Sequence, residues 1–290
     1  MTRVFGVIGF PISHSLSPVM HNAAFGALGL DAIYAPFEVS PAKARLVLQG
    51  LVAAGIDGFN VTVPLKEVVL RSLHVLSPEV RQIGAVNTVV IRDGRLAGYN
   101  TDSIGFLTAL RREARIPSLR GHVAVVLGAG GAAKAVIFAL INAGCVRVTV
   151  ANRTVSRAQR LVRSMESLTT RGRVAAHPLD ADRLNDVIQQ ADLLVNATSV
   201  GMHRGDPLLI DPQTIHRGLV VFDLVYGAHP TRLIEEARRR GALAVDGVPM
   251  LVYQGAESFR LWWRRAPPIG VMRRAVEQAV HSPQTIVHRQ

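Results

Sequence analysis

The apolar positions along the chain change period repeatedly, and the changes mark out an alternation of strands and helices. The clearest case is residues 123–143, VAVVLGAGGAAKAVIFALINA, where a β-branched apolar run breaks into glycines and resumes at helical spacing. It predicts a strand, a tight turn and a helix. Upstream, residues 4–8 predict a strand, and Ser17 as N-cap with Pro18 at the first helical position starts a helix through about Leu28. Residues 32–39 predict a second strand, residues 41–54 a helix, and residues 58–64 a third strand whose Pro64 can open the next helix. A hairpin begins at residues 84–88, turns at Arg92-Asp93-Gly94-Arg95 and returns to residues 98–102, before a helix that starts near Ser103.

Beyond the glycines, residues 146–150 predict the next strand, followed by a helix past Arg157, a turn at 169–172 and a short strand near Val174. A helix over 181–191 leads to a strand at 192–195 that runs into Asn196-Ala197-Thr198-Ser199-Val200-Gly201-Met202. Strands at 218–223 and 242–245 flank a helix over 230–240, and a long helix over 249–264 is interrupted by Pro267-Pro268 before a last helix to about Val280. The alternation predicts an α/β fold in two domains. The first spans 1–102 and the second 103–246, with C-terminal helices over 247–280 and a tail over 281–290.

Composition narrows the class. At 290 residues, with 49% hydrophobic and 19% charged residues, the chain can bury a sizeable core, and disorder is confined to its ends. The single Cys145 excludes an internal disulfide, and no His/Cys cluster has zinc-ligand spacing, so no metal is expected. The apolar run of the N-terminus is too short and broken for a signal peptide, and Lys134 with its neighbouring glycines argues against a membrane span at 123–143. A cytoplasmic protein without membrane partners is expected. A formal charge of +12 and a pI near 11.1 raise nucleic acid as a partner. The arginines are, however, spread over several amphipathic helices, and the dense groups at 238–240 and at Arg264 with Arg265 lack aromatic interleaving for stacking bases. The basic surface fits an anionic small molecule better. Only Lys43, Lys66 and Lys134 are lysines among 33 basic residues, which is suggestive, because Lys can lose a proton and Arg effectively cannot.

Candidate chemistry sits where strands end. Gly128, Gly130 and Ala133 have the G-x-G-x-x-A spacing of a dinucleotide-binding turn, with backbone N–H groups facing a pyrophosphate at the helix start. An NAD-binding unit usually ends its second strand in an acid that holds the ribose 2′-OH. Here Asn152, Arg153 and Thr154 stand in its place, with Arg157 one turn on, so NADP is the expected cofactor. Solvated arginines at a helix start would produce the same pattern. Ser13 and Ser15 alternate before a helix, where both hydroxyls could hold a carboxylate, and they suit plain turn and capping chemistry equally. Thr62 and Lys66 lie near the carboxyl end of a strand, the ligand side of open α/β sheets.

Taken together, PISHSLSP, NVTVPLK, GAVNT, NTD, GAGGAA, NRT, NATSVGM and DGVPMLVYQGAESF resemble the shikimate dehydrogenase family, in family order from about residue 4 to 275. The resemblance implies NADP-dependent reduction of 3-dehydroshikimate to shikimate. It also implies an N-terminal substrate domain joined by the returning C-terminal helices, a Rossmann domain for NADP, and a cleft between them. Carried over by residue, Ser13 and Ser15 match the carboxylate-binding serines, and Thr62, Asn87 and Gln254 match residues that hold ring hydroxyls. Lys66 and Asp102 match the catalytic pair. Gly128, Ala129, Gly130, Gly131, Ala132, Asn152, Arg153, Thr154 and Arg157 match NADP contacts, Thr198, Ser199, Gly201 and Met202 line the nicotinamide side, and Tyr226 and Gly247 complete the cleft. Leu65, Ser103, Pro249 and Tyr253 depart from the family pattern or lie beside matching positions, which bears on substrate tolerance.

The chemistry agrees. Oxidising a secondary alcohol removes its O–H proton while hydride leaves carbon, and the reverse needs an acid at the ketone oxygen, a pair of tasks for Lys66. Asp102 would orient Lys66 and bind a substrate hydroxyl. A quinate/shikimate or aminoshikimate dehydrogenase of broader specificity is the near alternative, and a non-enzymatic NADP-binding regulator the distant one. The exposed end of a sheet in the first domain could also pair two copies into a homodimer.

Overall fold

The structure, a computed structural model, describes residues 1–166, 168 and 173–282. Two six-stranded sheets organise it. The first contains β1 (Arg3–Gly9), β2 (Ala32–Glu38), β3 (Gly58–Val61), β4 (Val75–Leu76), β5 (Thr88–Arg92) and β6 (Arg95–Tyr99), in the order β2-β1-β3-β5-β6-β4. β1 runs parallel to β2 and β3, whereas β5 is antiparallel to both β3 and β6. The antiparallel pair follows from the turn the sequence predicts: Asp93 and Gly94 have φ of 49° and 70°, the double left-handed geometry of a two-residue hairpin loop.

The second sheet contains β7 (Val123–Leu127), β8 (Arg147–Asn152), β9 (Arg173–Pro178), β10 (Leu193–Asn196), β11 (Val220–Asp223) and β12 (Leu243–Val245). Its order is β12-β11-β10-β7-β8-β9, and every pair is parallel. Helices on both faces bury such a sheet, which is why β10 is buried at every position and is apolar up to its last residue, Asn196. The strand order reverses between β7 and β10, and the carboxyl ends there open a crevice.

The helices are α1 (Ser17–Ala27), α2 (Ala44–Ala53), α3 (Pro78–Ile83), α4 (Asp102–Glu113), α5 (Gly131–Asn142), α6 (Val155–Ser164), α7 (Ala181–Gln189), α8 (Arg232–Arg239), α9 (Val248–Trp263) and α10 (Ile269–His281). Phe259 and Trp262 of α9 and Met272 and Val276 of α10 are buried with Phe5, Val7, Met20 and Phe25, so the C-terminal helices return to the first sheet. Phe106, Ala109 and Leu110 of α4 join the core of the second sheet instead. No helix among the described residues is long and apolar enough to cross a membrane.

Four local expectations differ from the structure or fall outside it. Pro64 does not open a helix: Val86 N donates to the Lys66 carbonyl at 2.9 Å, which holds that residue out of helical pairing, and only a 3₁₀ turn at Val68–Ser72 follows. Ser17 is the first residue of α1 and not its cap; its N–H is met by Ser15 Oγ at 3.4 Å. The turn expected at 169–172 and the tail beyond residue 282 lie outside the described residues.

Candidate active site

Lys66 follows β3, and Asp102 is the first residue of α4. Their side chains meet, with Nζ donating to Oδ2 at 2.5 Å. Both are largely withdrawn from water, at 12% and 6% side-chain exposure. Asn87 Nδ2 donates to the other oxygen, Asp102 Oδ1, at 2.8 Å, and reaches Gln254 Oε1 of α9 at 3.2 Å. Four residues from four separate segments thus converge, each with polar atoms turned to a common point.

The convergence rests on residues that sequence reasoning did not single out. Asn100 Oδ1 accepts from the backbone N–H groups of Asp102 and Ser103 at 3.1 and 3.4 Å, meeting otherwise unpaired donors at the start of α4, while its Nδ2 donates to Ala85 O at 2.9 Å. Asn60 Oδ1 accepts from Tyr34 OH at 2.7 Å, and Asn60 Nδ2 donates to Asn87 O, Thr88 Oγ1 and Ser258 Oγ, each at 3.0 Å. Buried amides satisfied from several sides make a rigid floor. The visible signal was an Asn three residues before a predicted helix, in the NTD motif.

On the other sheet, Gly128 turns the chain at φ +106°, and a Cβ there would lie 3.0 Å from the Ala197 carbonyl oxygen. Gly130 faces open space, where a Cβ would meet nothing. Ala133 is wholly buried against the strand, as the fingerprint spacing requires. At the end of β8, Asn152 Nδ2 donates to Thr154 O at 2.9 Å. Arg153 and Arg157 beside it are exposed, and their guanidinium groups have no ion partner among the described residues. Open glycine, uncapped helix start and unpaired guanidinium groups fit a phosphorylated dinucleotide. The two halves touch directly: a Cβ on Gly131 would lie 3.1 Å from Lys66 Cβ.

A second hub orders the far wall. Asp223, wholly buried at the end of β11, accepts from Asn196 Nδ2 at 2.9 Å, Val225 N at 3.0 Å and Thr231 Oγ1 at 2.6 Å. Burial pushes its carboxyl up to about 6, against the pull of those three donors. Asn196 Oδ1 in turn accepts from Thr198 N and Oγ1 at 3.1 and 2.7 Å. The hub therefore fixes both the 198–201 turn and the strand end that leads to Tyr226. A cavity of about 510 Å³ opens there, with Gly201, Met202 and Tyr226 in its lining. Gly247 N donates to Val225 O at 3.1 Å, joining the start of α9 to the same strand end.

The remaining site residues lie nearer the surface. Ser13 is exposed, Ser15 is half-buried, and Thr62 is half-buried over Gly9. Tyr226 packs against the first sheet's core and meets the Leu16 backbone, so it spans the two halves; its burial pushes the phenol up. Two of the positions that depart from the family pattern or lie beside it, Leu65 and Tyr253, are engaged away from the convergence. Leu65 is wholly buried in the first sheet's core, and Tyr253 OH donates to Glu113 Oε1 at 3.1 Å beside Arg273.

The sequence matches three family models: the shikimate dehydrogenase substrate binding domain over residues 7–89, shikimate/quinate 5-dehydrogenase over 111–214, and the shikimate 5′-dehydrogenase C-terminal domain over 247–277. The chain belongs to the shikimate dehydrogenase family. Among its relatives, the NADP(+) shikimate dehydrogenase of Methanopyrus kandleri is 47% identical over 278 residues, covering 95% of each chain. Of solved family structures, the Thermus thermophilus shikimate dehydrogenase in complex with NADP(H) and shikimate superimposes with a TM-score of 0.84 at 40% identity, covering 96% of this chain and 100% of that one. A quinate dehydrogenase from Corynebacterium glutamicum in complex with NAD superimposes as well, with a TM-score of 0.86 at 33% identity over 96% and 99% of the two chains. The fold is thus shared by proteins named for either acid and solved with either cofactor, so fold alone does not make the distinction.

Proposed function

We propose that the protein is an NADP-dependent shikimate dehydrogenase that interconverts 3-dehydroshikimate and shikimate. The observation that carries the reading is the withdrawn Lys66–Asp102 pair lying directly against the first residue of the glycine-turn helix. Bound NADP would supply the hydride chemistry. Residues 1–102 with 247–280 form the substrate domain in this reading, and residues 103–246 the cofactor domain. Lys66 Nζ takes the hydroxyl proton of shikimate in the oxidative direction and returns it to the ketone oxygen in the other. Asp102 holds Nζ through Oδ2 and is itself held by Asn87, so the amine is aimed before substrate arrives. Ser13 and Ser15 receive the carboxylate, Thr62, Asn87 and Gln254 the ring hydroxyls, and Tyr226 closes the cleft from the cofactor side. Gly128 to Ala132 face the pyrophosphate, and Thr198, Ser199, Gly201, Met202 and Gly247 face the nicotinamide.

NADP selectivity rests on Arg153 and Arg157. Arg153→Ala is expected to raise KM for NADP by roughly 10- to 100-fold, the value of one charge-assisted contact, with KM for NAD within about twofold. Equal losses for both cofactors would remove Arg153 from 2′-phosphate recognition. The reaction itself is tested by cofactor reduction with shikimate and quinate side by side. Strong preference for shikimate is expected, and comparable quinate turnover would move the protein to the broader relatives.

A further inference from the structure

Lys134, the third lysine of this arginine-rich chain, has no part in the reaction above. It lies one turn into α5, and its Nζ donates to Glu67 Oε2 at 2.7 Å. Glu67 directly follows Lys66, so this ion pair joins the glycine-turn helix to the turn that carries the acid–base lysine. Other contacts converge on the same place. A Cβ on Gly131 would lie 3.1 Å from Lys66 Cβ and 3.2 Å from Cδ, so the first residue of α5 packs along the lysine stem. Ile83 and Ala85, on the first sheet's side, share an apolar cluster with Ala135 and Phe138 of α5. Lys134 Nζ itself stands above Gly84, the left-handed residue that ends α3.

We infer that Glu67 and Lys134 are positioning residues: their ion pair locks α5 onto the Lys66 turn, so the helix that meets the cofactor also sets where Lys66 Nζ stands. The inference rests on the acid–base role of Lys66 under Proposed function. Glu67 is half exposed, and an ion pair of that kind adds little to stability. Its effect is geometric. The apolar contact of Ala135 and Phe138 keeps the helix docked, but it is non-directional and tolerates sliding. The ion pair fixes the register of α5 against the turn, and proton transfer is sensitive to displacements of about an ångström. Lys134 also stands close enough to the helix start that a role in binding pyrophosphate is the competing account. The two accounts differ in which kinetic constant moves.

The test is steady-state kinetics with shikimate and NADP on Glu67→Gln, Lys134→Met, Lys134→Arg and the exchange Glu67→Lys/Lys134→Glu, with circular dichroism and thermal unfolding to confirm folding. Each neutralising change is expected to lower kcat roughly 5- to 20-fold with KM for NADP within about twofold. Lys134→Arg keeps most of the turnover, and the exchange recovers a large part of what the single changes lose. Wild-type kcat in folded single variants, a loss confined to KM for NADP, or an exchange no better than the product of the singles overturns the positioning role and leaves the reaction standing. Absence of shikimate turnover in the wild-type chain overturns the reaction, and the positioning role with it.

Discussion

Lys66→Met is expected to lower kcat by roughly 10²- to 10⁴-fold while KM for shikimate and for NADP stays within a few fold. Methionine keeps the apolar stem that packs against Gly131 and removes only the group that carries the proton. The change has a structural cost as well, since Asp102 is 4% exposed and would lose its cation. The other side-chain donor to its carboxylate, Asn87 Nδ2, is neutral. A buried carboxylate left without its ion destabilises a fold. Lys66→Arg separates the two effects: it retains a cation for Asp102 but cannot release a proton. Arginine is expected to be as inactive as methionine and as stable as wild type. Turnover near wild type in either variant removes Lys66 from proton transfer.

Acid stability should divide sharply between two single variants, because two buried groups titrate with opposite sign. His21 is wholly buried, its ring stacked on Tyr34 at 4.5 Å, and neither ring nitrogen has a hydrogen-bond partner among the described residues. Burial lowers its pKa from 6.5 to about 3. Between those values the unfolded chain binds the proton and the folded one does not, so stability falls as pH drops, by about 1.4 kcal/mol per pH unit at most. Asp223 runs the other way. Its carboxyl is raised from 3.8 to about 6, so the folded state binds the proton first and stability rises as pH falls through that interval. From about pH 6 to 4.5 the two slopes nearly cancel, each contributing about 2 kcal/mol. His21→Phe, which keeps a ring against Tyr34, should therefore gain about 2 kcal/mol relative to wild type over that range, and Asp223→Asn should lose about as much. Other carboxylates such as Glu236, partly buried and held at about 2 chiefly by its hydrogen bond from Arg239, are common to all three proteins and drop out of the comparison. Urea midpoints measured across the range read the slopes, and three parallel curves would show that neither group titrates as its burial implies.

Several features of the candidate site are legible in the sequence. The glycine spacing located a turn that Gly128 makes at positive φ and a helix start that Gly130 leaves open, because only certain residues tolerate those backbone positions. The missing acid and the arginines at 152–157 were readable for the same reason, since a strand end next to such a turn has a known neighbour. Lys66 and Asp102 were readable as members of motifs, yet nothing local said that they touch. Leu65 was misleading in the other direction: it looked like a change beside the site, and its side chain is buried in the core.

The sequence by itself determined the element types, the two-sheet α/β class and the positions where strands end in polar residues. Those depend on local period and on backbone preferences of Gly, Pro and Asn, which act within a few residues. Only the tertiary structure decided which polar residues share a point. Asn87 and Gln254 lie 3.2 Å apart across 167 positions because α9 returns to the first sheet, and Glu67 meets Lys134 because α5 docks on the turn behind Lys66. His21 and Asp223 are of the same kind: their unusual proton affinities come from exclusion of water by distant segments, a property of the assembled core that no stretch of sequence carries alone.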